Sequence, residues 1–231
     1  MSPINKRLSR KTHRYLALIV GAQLLLWTFS GAYFALNDID EIRGSHFRAN
    51  PEAIAFSDLI TPSALTDIQS IELRNIAGQP HYWINGAELY HARSGELKQG
   101  ISAPEAIAIA TQNLRETLVL QHQEIIRQVN QHHEYRGRPL PAYQLIFEDD
   151  QASITAYVSI ADGKFQTVRH DNWRIFDFLW MLHTMDYLSR DNFNNNLLRL
   201  VAVLAFLAIV SGFWLWSTSR RRARQRNQPA A

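Results

Sequence analysis

The sequence predicts an α+β domain carried by two transmembrane helices, one near each end of the chain. Three observations lead to this fold class. Two apolar runs long enough to cross a bilayer lie at residues 15–36 and 197–216. All 21 acidic residues lie between those runs. The same middle segment changes from alternating, β-prone patterns to a helical period and back again, which is typical of a mixed α+β domain.

The two apolar runs are predicted to be transmembrane helices. Residues 15–36 carry no charge, and residues 197–216 carry only Arg199, near their start. About 20 residues rising ~1.5 Å each span a hydrocarbon core ~30 Å thick. The alternatives are a buried core helix for either run and a cleaved signal peptide for the first. The first run is longer than a signal-peptide apolar region, which favours a retained anchor.

The cations are concentrated in two tails, at residues 1–14 and 217–231. Lysine and arginine beside a span stay in the cytoplasm, so both tails are predicted to be cytoplasmic. The acidic middle would then lie in the periplasm of a bacterium, with both spans in the inner membrane. The basic pI of about 9.3 results from the cations in the tails, since the middle segment is acidic. Because each tail adjoins an apolar run, it does not indicate a nucleic-acid partner.

Small residues at helical spacing predict where the two spans pack together. Ala17 and Gly21 form one small-xxx-small pair, and Ala208 and Gly212 form another at a similar depth. Small side chains allow helix backbones to approach closely. The alternative is that these residues face lipid.

The first part of the middle segment, residues 37–101, is predicted to hold a connector up to residue 56 and then several strands. The strand-like stretches are residues 68–76, 81–85 and 87–92, with turn chemistry at residues 93–97. Alternating apolar and polar residues, bounded by turn residues, are the signal for such strands.

The second part begins with a capping box, Ser102 followed by Glu105, that opens a helix. Four strands and a loop are then predicted, and Asp162-Gly163 is predicted to form a two-residue hairpin turn. Residues 89–99 also align with residues 157–167, which places Ser94-Gly95 over Asp162-Gly163 as a weak internal repeat. The predicted strands are residues 124–129, 143–147, 153–160 and 164–168, with the loop at residues 131–141.

Three of these stretches together resemble the PepSY domain: SAPEAIAIA from Ser102, YQLIF from Tyr143 and AYVSIADGKFQTV from Ala156. The hairpin keeps Gly163 but departs from the family's D-x-x-[ST]-G-E pattern at the acidic position. The resemblance implies one helix packed on a small antiparallel sheet at residues 102–170, with a degenerate first copy at residues 37–101.

The spans resemble PepSY-associated transmembrane helices. The residues that carry this second resemblance are His13-Arg14-Tyr15, Ser30-Gly31, Leu182-His183 and the Ser211-Gly212-Phe213-Trp214 stretch. The two resemblances together cover most of residues 10–220.

An aromatic segment precedes the second span, within residues 171–196. Residues 173–187 are rich in aromatic side chains, and Arg174, Asp177 and Thr184 fall on one helical face. Such a segment is predicted to lie at the membrane interface, with its rings at headgroup level. A core helix of the domain is the alternative.

His183 is the leading candidate for a functional residue. Asp186 follows at a spacing that allows a contact on one helical face, which would orient a ligand histidine. Relatives of the family with more spans are haem-binding reductases of iron uptake, so the resemblance implies haem as a candidate cofactor. His46 and His13 are further candidates. His13 lies on the opposite side of the membrane from His183, whereas His46 and His170 are on the same side, and a homodimer would supply a second His183.

A metal site and a catalytic nucleophile are the other kinds of site to consider in this sequence. His122, His132 and His133 are the alternative metal ligands, but adjacent histidines in a polar loop are usually solvated. There is no cysteine, and no nucleophile with an evident base is present. We therefore expect a non-enzymatic binding, inhibitory or accessory module for a protein partner or membrane complex. The alternative is a haem-binding redox accessory linked to iron uptake or ferric-siderophore reduction.

Overall fold

The computed structural model describes residues 3–51, 54–60 and 67–226, with side chains from residue 10 to residue 218. The chain divides into two compact units. One unit combines Met1–Leu36 with Asp177–Ala231, and the other is Asn37–Phe176. Most cations of the two predicted basic tails, including all five arginines after residue 219, lie outside the described side chains.

The structure contains five α-helices, a 3₁₀ turn and eight strands within the described ranges. The helices are α1 (Pro3–Leu36), α2 (Ile39–Ile42), α3 (Ala103–Asn113), α4 (Asp171–Thr184) and α5 (Asn196–Arg226), and the 3₁₀ turn is Ser45–Phe47. The strands are β1 (Ile71–Ile76), β2 (Gln79–Ile84), β3 (Glu88–His91), β4 (Leu97–Lys98), β5 (Val119–Ile126), β6 (Ala142–Glu148), β7 (Ser153–Ser159) and β8 (Phe165–Arg169).

The two long helices contain the predicted spans. Arg10–Leu36 of α1 and Asn196–Thr218 of α5 are long and apolar enough to cross a membrane. Only 11% of each span is buried, and large side chains such as Leu18 and Phe206 are exposed. A core helix of a water-soluble protein would bury such side chains, so the exposed apolar surface favours a lipid environment.

Helices α1 and α5 are in contact and run antiparallel, since His13, near the start of the first span, lies beside Ser211, near the end of the second. Val20 of α1 is buried, as are Ala205 and Ala208 of α5. Ala208 is the one buried residue among the four predicted packing residues.

The other three predicted packing residues are partly buried. A Cβ added to Gly21 would meet no described atom within 4 Å, so Gly21 is not a point of close helix approach. A Cβ added to Gly212 would lie 3.3 Å from the Cε1 atom of His13. Gly212 thus makes room for a histidine, and Ala17 is half-buried.

The Asn37–Phe176 unit contains two antiparallel four-stranded sheets. Their strand orders are β1-β2-β3-β4 and β5-β6-β7-β8. Helix α3 lies against β6, β7 and β8. One apolar core receives residues from both sheets and from α3: Ile76 and Leu89 from the first sheet, Ile109 from α3, and Leu145 and Val158 from the second sheet.

The segment predicted as a plain connector, residues 37–56, folds in part. It forms α2 and the 3₁₀ turn, and it buries Ile42 and Phe47. Asp38 caps α2 by accepting a hydrogen bond from the Asp40 N–H at 2.8 Å. The apolar side chains that find places in the core explain why this stretch does not remain extended.

The strand predicted at residues 124–129 begins five residues earlier, as β5. Its side chains are mostly exposed, so the alternating pattern that marks a half-buried strand is weak there. A register irregularity between Leu120 and His122 disturbs that pattern further. Pairing with β6, which only the tertiary structure supplies, sets the start of the strand.

The Asp162-Gly163 turn is longer than the predicted two-residue hairpin. The Ser159 N–H donates to the Lys164 carbonyl at 3.0 Å, and the Gly163 N–H donates to the Ser159 carbonyl at 3.0 Å. Four residues therefore form the loop. Gly163 has φ +65°, and a Cβ there would lie 3.1 Å from the Ile76 side chain, so glycine is favoured on both grounds.

The first sheet has a loop with the same hydrogen bonds. The His91 N–H donates to the Glu96 carbonyl at 2.8 Å, and the Gly95 N–H donates to the His91 carbonyl at 2.8 Å. His91 and Gly95 are the positions that the internal alignment places over Ser159 and Gly163. The aligned segments thus share one loop geometry.

Candidate functional site

Two histidine–serine hydrogen bonds lie within the unit that combines Met1–Leu36 with Asp177–Ala231, the helical unit. They join α1 to the later of these two segments. Nδ1 of His183, in α4, lies 2.7 Å from the Ser30 hydroxyl oxygen of α1. Nδ1 of His13, in α1, lies 2.7 Å from the Ser211 hydroxyl oxygen of α5. Each serine is followed by a glycine. In one contact α1 supplies the serine, and in the other α1 supplies the histidine.

The hydrogen-bond partners of the serines determine the histidine tautomers. The Ser30 hydroxyl donates to the Leu26 carbonyl at 2.7 Å, and the Ser211 hydroxyl donates to the Ala208 carbonyl at 2.9 Å. A hydroxyl has one proton, so each serine oxygen accepts from its histidine. In the neutral form, both histidines therefore carry hydrogen on Nδ1 and a lone pair on Nε2.

Aromatic rings surround His183. Its ring centre lies 5.5 Å from that of Phe34, 6.3 Å from that of Trp27 and 6.5 Å from that of Trp180, whose plane is nearly parallel to it. Burial lowers the pKa of His183 from its usual value of 6.5. The imidazole is therefore neutral at pH 7, as a ligand histidine must be.

Side chains satisfy the last carbonyl groups of α4, which lack partners within the helix. The Trp27 indole N–H donates to the His183 carbonyl at 2.8 Å, and the Gln23 amide donates to the Leu182 carbonyl at 3.3 Å. The Asn195 amide donates to the Thr184 carbonyl at 2.9 Å. Gln23, the most polar side chain of the first span, thus positions the helix that carries His183.

The predicted contact between His183 and Asp186 is wrong. Helix α4 ends at Thr184, and Met185 has φ +55°, so Asp186 does not share a helical face with His183. The Asp186 carboxylate accepts instead from the Ser189 hydroxyl and from the Asn192 N–H. These hydrogen bonds stabilise the turn into α5, and Ser30 takes the place of Asp186 as the partner of His183.

The three polar residues predicted on one face of α4 are all engaged. Asp177 and Thr184 are buried, and the Asp177 carboxylate pairs with Arg190 at 2.7 Å. Arg174 pairs with Glu134 at 2.8 Å. The exposed residues of α4 include Ile175 and Phe178.

The two histidine–serine contacts are far apart along α1. Ser30 follows His13 by 17 residues, which corresponds to ~25 Å of helix at ~1.5 Å per residue. A bis-histidine haem needs its two imidazoles on opposite sides of one iron. His13 and His183 of one chain therefore cannot ligate the same iron.

His46 and His170 lie together in the Asn37–Phe176 unit. Their ring centres are 5.4 Å apart and the rings are perpendicular. Nε2 of His170 donates to the carbonyls of Glu41 and Ile42, at 3.2 and 3.0 Å, so it carries hydrogen. Burial lowers the pKa of His170. The two hydrogen bonds from His170 hold α2 beside the start of α4.

The remaining histidine candidates are dispersed. His122 is exposed on β5, and His132 and His133 lie in the loop before β6. The Tyr135 N–H donates to Nδ1 of His133 at 3.1 Å. Within the described ranges, no group of three or more His, Asp or Glu side chains is arranged to hold a metal.

The family model for the PepSY-associated TM region matches residues 10–231. This match covers both histidine–serine contacts and both spans. The chain belongs to the PepSY-associated TM family. No curated protein and no solved structure matches this PepSY-associated chain.

The short motifs that carry the PepSY-associated resemblance meet in space. Ser30-Gly31 and Ser211-Gly212 supply the two serines, and His13 and Leu182-His183 supply the histidines. Sequence patterns singled out these residues but did not indicate which of them pair. One signal in the sequence could have paired them. His13 precedes the first span and Ser211-Gly212 lies near the end of the second, whereas His183 precedes the second span and Ser30-Gly31 lies near the end of the first.

Replacing Ser30 with alanine is expected to lower the thermal stability of the helical unit. The change removes the acceptor of the His183 Nδ1–H and costs about 1–3 kcal/mol if that group is left unsatisfied. Thr28→Ala is the matched control, since the Thr28 hydroxyl also bonds its own helix but is exposed. Thermal unfolding in detergent and the His183 imidazole ¹⁵N shifts measure the effect. Equal unfolding temperatures and equal His183 ¹⁵N shifts in the two variants would contradict the hydrogen bond from His183 to Ser30.

Proposed function

We propose that this protein is a two-pass inner-membrane anchor for a periplasmic module that binds a protein partner. The Asn37–Phe176 unit is the binding, inhibitory or accessory module, and both basic tails lie in the cytoplasm. The family membership, the two antiparallel spans and the positive-inside rule support this arrangement. The exposed apolar residues Ile175 and Phe178 support an interfacial position for α4.

The feature that carries the binding proposal is the free edge of β5. This strand is the outermost of its sheet and has eight residues, more than any other described strand. Val119 is 60% exposed and Ile125 is 43% exposed. An edge strand presents unpaired N–H and C=O groups, and an extended segment of another protein can add to it as a further strand.

Charge beside this edge favours a basic partner segment. Glu148, Asp149 and Asp150 line a concave surface together with Val119 of β5 and with Arg115, so three carboxylates outnumber one cation there. Hydrogen bonds from the Gln151 and Ala152 N–H groups lower the pKa of Asp149, so its carboxylate is ionised at neutral pH. A partner with a lysine or arginine near its bound strand would complement this surface.

Membrane topology is tested most simply with single cysteines, because the chain contains none. Gln121→Cys, on exposed β5, is expected to react with a membrane-impermeant maleimide in intact spheroplasts. Ser217→Cys, at the end of the second span, is expected to react only after the membrane is opened. The reverse labelling pattern would overturn the proposed orientation.

The β5 edge is tested by site-specific photo-crosslinking from Gln123, which is exposed on that strand. A crosslinked protein is expected in cells, and Ile125→Lys is expected to reduce the yield at least about tenfold by placing a charge on the docking edge. Ile71→Lys is the control, since Ile71 is similarly exposed on the outer strand of the other sheet. A yield unaffected by Ile125→Lys, or no adduct across several growth conditions, would contradict the proposal.

Haem binding near His183 is the second candidate function. The observation in its favour is the tautomer, since the Nδ1–H bond to Ser30 leaves the Nε2 lone pair for a ligand, and ligand histidines are usually oriented in this way. Haem would supply one-electron redox chemistry at the site. His183 would hold it from one side, and the opposite ligand would have to come from elsewhere, for example from His183 of a second copy.

An optical spectrum tests the haem candidate. Protein purified from cells supplied with haem is expected to show a Soret band that His183→Ala removes. His13→Ala is the control, because His13 lies ~25 Å away along α1. Absence of a Soret band in the unsubstituted protein would rule this candidate out.

A further inference from the structure

Two histidines face each other across the first sheet. His81 of β2 is directly opposite His91 of β3. The adjacent pair, Pro80 and Ala92, is joined by the ladder hydrogen bond from the Ala92 N–H to the Pro80 carbonyl at 3.0 Å. His81 and His91 therefore occupy a non-hydrogen-bonded pair, in which cross-strand side chains are closest. Their ring centres are 4.5 Å apart, with planes tilted by 53°.

One nitrogen of His81 is a lone-pair donor without a partner. Nδ1 of His81 lies 3.1 Å from the Gln79 carbonyl, and a carbonyl oxygen only accepts, so Nδ1 carries hydrogen. Burial lowers the pKa of His81, which leaves Nε2 unprotonated at neutral pH. The residue is 1% exposed, and Nε2 has no hydrogen-bond partner within the described ranges.

His91 offers a second unpartnered nitrogen. Its Nδ1 is buried and has no hydrogen-bond partner among the described residues. Buried polar atoms are satisfied in the large majority of cases. Two unsatisfied imidazole nitrogens on one cross-strand pair therefore point to a ligand that accepts both lone pairs.

The charges around the pair do not repel a cation. Arg74 and Lys98 are each neutralised by a carboxylate. The ion pairs are Arg74 with Glu72 at 2.7 Å and with Asp162 at 3.6 Å, and Lys98 with Glu105 at 3.0 Å. Arg93 is a further cation close to the pair, since its Nη1 lies 3.5 Å from the side-chain oxygen of Gln79. Three carboxylates therefore face three cations, and the surroundings carry no net formal charge.

We propose that His81 Nε2 and His91 Nδ1 bind a late first-row transition-metal ion, with water completing its coordination. Imidazole suits copper, nickel and zinc, and Cu²⁺ binds most tightly in this series. Bonds of about 2.0–2.1 Å from metal to nitrogen bring two ligand nitrogens to within a few ångströms of each other, which rings 4.5 Å apart can supply. The Gln79 carbonyl acts as the outer partner that fixes the tautomer and orientation of His81.

The test is a titration of full-length, chelator-stripped protein in detergent with Cu²⁺, followed by electron paramagnetic resonance. One equivalent is expected to bind with the hyperfine pattern of two nitrogen ligands, and to raise the unfolding temperature. His91→Gln is expected to weaken binding at least about 10–100-fold. His122→Gln, at an exposed histidine of β5, is expected to leave the spectrum unchanged.

His91 is the primary position because it is only partly buried, so its glutamine variant is expected to fold. Circular dichroism and the unfolding temperature without metal verify this. A folded His91→Gln protein that keeps the two-nitrogen spectrum and full affinity would overturn the proposal. So would an unsubstituted protein whose unfolding temperature does not respond to Cu²⁺, because the two nitrogens would then share a proton or a water molecule.

Discussion

Replacing Gly100 with alanine is expected to destabilise the Asn37–Phe176 unit by about 2–5 kcal/mol. Gly100 has φ +82°, and a Cβ there would lie 2.9 Å from both the carbonyl oxygen and the Cγ2 atom of Ile160. A left-handed conformation costs a residue with a Cβ about 1–2 kcal/mol, and forced overpacking costs about 1–3 kcal/mol more. The same carbonyl accepts the Ile101 N–H at 2.8 Å, so the clash falls on the junction between the first sheet and the second.

Gly86→Ala separates the two contributions. Gly86 also has a positive φ, +68°, but a Cβ there would meet no described atom within 4 Å. This control variant should lose only the conformational part, about 1–2 kcal/mol. Urea unfolding of the full chain in detergent measures both. Equal losses at the two positions would show that the contact with Ile160 relaxes without cost.

Breaking the ion pair between Asp177 and Arg190 is expected to cost about 3–5 kcal/mol, because it leaves an uncompensated charge in a poorly solvated place. The guanidinium Nη1 lies 2.7 Å from the carboxylate, and the side chains are 6% exposed for Asp177 and 21% for Arg190. Asp177→Ala should therefore lower the unfolding temperature of the helical unit more than any surface substitution on α4.

The double variant Asp177→Leu with Arg190→Met tests whether the unpaired charge causes the loss of stability. Replacing both charges with apolar groups removes the desolvation penalty as well as the attraction, so most of the stability should return. Asp171→Ala is the control, since the Asp171–Arg174 pair on the same helix is exposed and worth no more than about 1 kcal/mol. A double variant as unstable as Asp177→Ala would mean that side-chain packing, rather than charge, determines the stability at this site.

Local patterns identified most elements before any contact was known. The two apolar runs predicted α1 and α5, because length and lack of charge are properties of a single segment. The Ser102–Glu105 capping box marked the start of α3, and the Ser102 N–H does donate to the Glu105 carboxylate at 2.7 Å. Alternating residues located β1 to β3 and β6 to β8 to within a few residues.

Patterns failed where a partner strand or a neighbouring element decides the outcome. The start of β5 depends on β6, since the exposed strand has no apolar alternation of its own. The fold of residues 37–56 depends on core sites for Ile42 and Phe47 that lie elsewhere in the chain. The length of the Asp162-Gly163 loop depends on pairing between β7 and β8.

The sequence by itself determined two spans, an acidic α+β middle and a set of histidines worth testing. Only the tertiary structure decided which groups those histidines meet. His183 pairs with Ser30 across 153 residues and His13 pairs with Ser211 across 198, whereas local spacing favoured Asp186. Hydrogen-bond partners are fixed by where helices lie side by side, and single-segment periodicity does not contain that information.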